Sequence, residues 1–145
     1  MPVPLFGWSA GDIVVSIKIL YQVADAFSES GGAKDQYTDT STWLRSFAED
    51  LKRIKEYVDD NPTAKYTENI RQQVSNIGPH YDEFEKYLQR FEPALNSKST
   101  VSITRRAVKK VRWAVKELKG HVEGLKAAVS GPLTSINLLI CLQNL

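Results

Sequence analysis

Apolar residues recur along the chain at spacings of three and four, and that period predicts helices from end to end. A first helix is expected over 10–29. Ser9-Ala-Gly-Asp12 supplies an S-x-x-[DE] start signal, and Ile13, Ile17, Leu20, Ala24 and Phe27 form one face. Val14, Val15, Ile19 and Val23 widen that face, Lys18, Gln22, Asp25 and Glu29 oppose it, and Gly31-Gly32 ends the element. A second helix is expected over 34–59, with a seam of Leu44, Phe47, Leu51, Ile54 and Val58 and dense charge elsewhere. A third, over 64–91, carries Tyr66, Ile70, Ile77, Tyr81, Phe84, Leu88, Phe91 and Leu95 in one phase. Gly78-Pro79 interrupts it, and because the phase survives, one kinked helix is expected. A fourth, over 104–129, aligns Val108, Val111, Val115, Leu118, Val122, Leu125 and Val129. Gly131-Pro132 is read as its end, and 133–145 as a short, separate, nearly all-apolar fifth helix.

No stretch reads as a strand, and no Asn-Gly or Asp-Gly hairpin turn occurs. Long amphipathic helices joined by short connections imply antiparallel neighbours. The predicted fold is therefore all-α: an up-down bundle of four long helices plus a short apolar C-terminal helix. At 145 residues one domain is expected, spanning 1–145. The last helix runs out with no polar tail, which suggests a domain excised from a longer protein.

Charge changes this picture more than composition does, since 42% hydrophobic and 25% charged residues are ordinary for a globular chain. Residues 97–130 hold nine basic residues against Glu117 and Glu123, a net of +7, which leaves −5 for the rest of a chain whose total is +2. Arg105, Lys109, Arg112, Lys116 and Lys119 form a stripe on the fourth helix, the candidate face for anionic lipid. Nucleic acid is a weaker reading, because that helix must also bury its seam and neither a helix-turn-helix nor an aromatic sheet platform is visible. There is no signal peptide, position 2 is Pro rather than a myristoylated Gly, and no run of about 18 uncharged apolar residues is apparent. The expectation is a protein made soluble in the cytosol.

Candidate chemistry is sparse. His80, His121 and Cys141 are too few and too scattered for a zinc set, and Gly31-Gly32 lacks the Lys-[Ser/Thr] of a phosphate loop. No G-x-S-x-G elbow occurs, and carboxylate pairs such as Glu49/Asp50 and Glu83/Glu85 read as solvated surface. Cys141, among Leu139, Ile140 and Leu142, reads as a small buried hydrophobe. No catalytic residue, cofactor or metal is therefore expected. Trp8 is open between a staple on the end of the first helix and an interfacial anchor. Trp43 and Trp113 read as packing residues.

Phe6-Gly-Trp-Ser-Ala-Gly-Asp-Ile-Val14 followed by an amphipathic helix ending in Ser30-Gly-Gly32, then Val111-Arg-Trp-Ala114, Glu117-Leu118, Leu125 and Ser135-Ile-Asn-Leu-Leu139, resembles the HeLo-like domains of fungal STAND receptors. The resemblance covers essentially the whole chain, through motifs that are degenerate and hydrophobic. It implies a helical bundle that acts in regulated cell death: cytoplasmic, recruited to the plasma membrane on activation, and oligomerising there. An upstream NOD-like receptor or amyloid-type trigger would act through a region beyond residue 145. It also implies that the first helix inserts, which makes Trp8, Ile13, Val14, Val15, Ile17, Ile19 and Leu20 the candidate inserting residues. Asp12, Lys18 and Asp25 on that helix would each resist insertion, so several copies would have to shelter them. The alternative is a non-lytic helical adaptor that only recruits partner proteins.

Overall fold

The structure is a computed structural model that describes residues 8, 10–30, 35–89 and 105–145, with side chains for 8, 10–28, 37–89 and 117–145. Four α-helices make up the described chain: α1 Ala10–Ser30, α2 Asp35–Asp60, α3 Thr67–Gln89 and α4 Arg105–Gln143. No strand occurs among the described residues.

The predicted seams are the observed core. Ile13, Leu20, Ala24 and Phe27 of α1, Leu44, Phe47, Leu51 and Ile54 of α2, Ile70, Ile77, Tyr81, Phe84 and Leu88 of α3, and Leu118, Val122, Leu125 and Val129 of α4 are all buried in one cluster. Ile17 and Val58 pack against it while half-exposed. Two antiparallel hairpins result. Along α1–α2, Arg45 pairs with Asp25 at 2.8 Å, Tyr21 donates to Glu49, and buried Ser41 donates to the Ala24 carbonyl at 3.0 Å. Along α3–α4, the Tyr87 and His121 rings stack with centroids 3.4 Å apart. Contact between α1 and α4 joins the hairpins, whereas α2 touches α3 and α4 only slightly.

The turn between α2 and α3 is closed by polar groups. Asn61 donates through its amide side chain to the Tyr57 carbonyl at 2.9 Å, and Thr67 donates its hydroxyl to the Asn61 carbonyl at 2.6 Å. That bond accounts for a buried threonine at the first residue of α3. Beyond it, α3 runs unbroken through Gly78-Pro79, as the intact phase predicts.

The separate fifth helix does not appear. The apolar segment is helical, but α4 continues through Gly131-Pro132 to Gln143 as one element of 39 residues. Pro132 removes one backbone donor. Packing outweighs that loss, because Leu133, Ile136 and Ile140 continue the 4-3-4 phase of the Val129 seam and pack on the same cluster. Cys141 is corrected too. It falls off the seam and is exposed.

Candidate functional site

The residues expected to insert from α1 divide into two sets. Ile13, Ile19 and Leu20 lie in the core at 7%, 5% and 0% exposure, and Ile17 packs partly against it. Val14 and Val15 point away from the core, at 44% and 53% exposure. Trp8 is half-buried beside α3, its indole 5.2 Å from the Tyr81 ring. A Cβ built on Gly78 would come within 3.2 Å of that indole. The absent side chain at Gly78 is thus what gives Trp8 its seat, a requirement that spacing alone could not reveal.

Of the expected lipid-facing stripe, the backbone of Arg105, Lys109, Arg112 and Lys116 lies on α4, but their side chains fall outside the described residues, as does Trp113. Lys119 is half-exposed at the edge of the described side chains.

The helices enclose one feature that sequence reading missed. A cleft of about 930 Å³ opens between the start of α1, the second half of α3 and the middle of α4. Gly120, Gly124 and Ala128 line it from α4, and Trp8, Phe84 and Tyr87 give it aromatic walls. It brings together both histidines of the chain with Asp12, Asp82, Glu83 and Lys86. These residues are 109 positions apart at the extremes, so no local motif signals them. Among the described residues no group of three or more His, Cys, Asp or Glu is placed to hold a metal ion, and no Ser, Thr or Cys lines the cleft. Its three carboxylates favour a cationic visitor over a phosphate headgroup.

Two titratable groups are perturbed just beside it. Burial raises the Tyr81 hydroxyl well above its ordinary value, and the charge of Glu85 adds to the effect. Burial also raises the Glu85 carboxyl; the nearby Tyr81 hydroxyl opposes this and the charges of Asp82 and Asp12 reinforce it. Both shifts disfavour the charged form, because burial withholds water from it.

The second missed feature lies at the far end of α4. The segment Glu117–Gln143 is long and apolar enough to cross a membrane, and only 17% of its most apolar window is buried. It is not an unbroken apolar run, since Ser, Gly, Pro, Thr and Asn are interspersed along it, and sequence reading did not single it out. Reading Gly131-Pro132 as a helix end divided the segment into two pieces, each too short. Leu138 and Leu142 stand 59% and 43% exposed on it, beside Cys141. The other side of this end is held by polar contacts. Arg53 donates to Asn137 at 3.2 Å, Gln143 donates to the Tyr57 hydroxyl at 2.6 Å, and the Tyr66 amide donates to Gln143. Compared with known proteins, the chain matches no family model, no curated protein and no solved structure.

Proposed function

We propose that this chain is a non-enzymatic helical module that binds anionic membranes and assembles on them, as its resemblance to HeLo-like cell-death domains implies. The observation that carries the reading is the charge division: +7 within residues 97–130, most of it on one helix, against −5 elsewhere. Each basic residue close to an anionic surface contributes about 1 kcal/mol of attraction, and salt screens it. A stripe of five therefore suffices to bring the protein to a membrane reversibly. Were α1 to insert, as the resemblance implies, Asp12, Lys18 and Asp25 could not be buried in lipid one copy at a time, so insertion would require self-association. In this reading the protein is cytoplasmic until recruited to the plasma membrane.

The test is vesicle co-sedimentation together with dye release, comparing phosphatidylserine-containing with neutral vesicles. Binding to the anionic vesicles that falls with salt, with dye release rising more steeply than protein concentration, is the expected result. Equal binding to both vesicle types would remove the electrostatic basis of the proposal. The second reading, a non-lytic adaptor, is favoured by the acidic, aromatic cleft beside Trp8, which suits a basic peptide. Binding to anionic vesicles with no dye release at any concentration would favour it.

A further inference from the structure

We infer that residues 127–145, the C-terminal half of α4, are the part of the chain that enters lipid, with the basic half of the same helix lying on the headgroups. The inference rests on the membrane-binding reading and goes beyond it by replacing α1 with α4 as the inserting element.

Three observations converge. First, residues 127–145 contain no charged side chain on any face, although much of this stretch is exposed to solvent. A helix docking on a soluble partner keeps charge at its rim. This one has none, and its helical part, 127–143, is about 26 Å long, near the hydrocarbon thickness of a bilayer. The two ordinary reasons for such composition fail here: the segment is mostly unburied, and it is not at the N-terminus. Second, the exposed hydroxyls on it are already satisfied by the helix itself. Thr134 donates to the Ser130 carbonyl at 2.9 Å and Ser130 to the Ala127 carbonyl at 3.3 Å. Such back-bonding also occurs in α1, where Ser16 donates to the Asp12 carbonyl, but here it lets both hydroxyls enter hydrocarbon with their donors already met. Third, the charge distribution fits an anionic bilayer in order along one helix. The basic residues from Arg105 to Lys126 come first and the charge-free stretch follows without a break. Gly131-Pro132 lies within the first turns of the charge-free stretch, where a missing backbone donor makes bending easiest.

Insertion from α4 also disturbs the core less than insertion from α1. Residues 127–145 contribute two fully buried side chains, Val129 and Ile136, whereas α1 leaving the bundle would strip seven buried hydrophobic residues, Leu20, Ala24 and Phe27 among them at 0% exposure.

Cys141 is the only cysteine of the 145 residues and is exposed, so this chain can carry a polarity-sensitive fluorophore there without other changes. On phosphatidylserine-containing vesicles the emission should move to shorter wavelength and be quenched by lipids brominated on their acyl chains. Leu138→Asp with Leu142→Asp should abolish the quenching while leaving helicity and melting temperature unchanged, since both side chains are exposed. Val15→Asp should leave the quenching intact. Vesicle binding by a label that acyl-chain bromine does not reach would overturn the inference and leave the functional reading standing. Quenching that survives in the double variant, or is lost in Val15→Asp, would also overturn it. A label that shifts with protein concentration alone, with dimers in sedimentation, would assign the stripe to a second copy instead. Absence of any binding to anionic vesicles would end both the inference and the reading beneath it.

Discussion

Helix α1 and the C-terminal half of α4 are both rich in aliphatic residues, yet they place them differently. In α1 seven hydrophobic residues are buried, and only Val14 and Val15 stand out as large exposed ones. In α4 beyond Pro132 only Ile136 is buried, while Leu138 and Leu142 are exposed. A wide apolar face therefore says little about membranes until its partner is known. The apolar width of α1 has a partner, because α2 covers one side and α4 another. The apolar width of the α4 end has a partner on one side only: Leu133, Ile136 and Ile140 pack on the core, while Leu138 and Leu142 face away from it.

The comparison breaks most visibly under truncation. Phe27→Ala should cost about 3–5 kcal/mol, since the ring is fully buried and a cavity would remain. Leu142→Ala should cost no more than about 0.5 kcal/mol. Urea unfolding followed by circular dichroism measures both, and similar losses would mean that the α4 end is core after all.

Glycines sharpen the contrast at the next level of effect. Gly78→Ala places a methyl group 3.2 Å from the Trp8 ring. Crowding of that kind costs about 1–3 kcal/mol, against a gain of about 1 kcal/mol from helix propensity. The variant should lose stability, with a change in tryptophan emission. Gly124→Ala meets nothing within 4 Å and should gain about 0.5–1 kcal/mol. Thermal melts of the pair should therefore move in opposite directions.

The seams were legible because burial and helical period have the same cause: a helix can face the core along only one stripe. Leu44 through Ile54 and Leu118 through Val129 needed nothing more than spacing. Three features were not legible. Pro132 looked like a stop because local propensity treats proline as a breaker, whereas the in-phase Leu133, Ile136 and Ile140 carry the helix past it. The intact phase across Pro79 gave the correct outcome by the same physics. Cys141 was misplaced because an all-apolar segment has no pattern to say which side is buried. The cleft joins Asp12, His80 and His121 through tertiary packing alone, so nothing local marks it.

Smaller effects remain at the surface of α1 and beside the cleft. Val15→Asp should change stability by no more than about 0.5 kcal/mol, because the side chain is already solvated. A variant that unfolds would place Val15 in the core. Glu85 gives a pH effect whose sign is fixed by its raised carboxyl. The folded state holds that proton more tightly than the unfolded chain does. Glu85 therefore adds stability below its ordinary value of 4.5, and this is lost as pH rises through the higher folded value. Glu85→Gln should remove that part of the pH dependence and melt higher than the parent at neutral pH. Parallel melting curves across the acid range would reveal it.

The pairing of each helix with its immediate neighbour in sequence also sets how the molecule comes together in time. The α1–α2 and α3–α4 hairpins each join helices that follow one another in the chain, the connectivity that helical bundles use to keep contact order low and folding fast. Docking of α1 onto α4 is the one extensive union of residues far apart in sequence, and it closes the largest loop. That step should govern the rate, which makes the α1–α4 seam the last surface to dry.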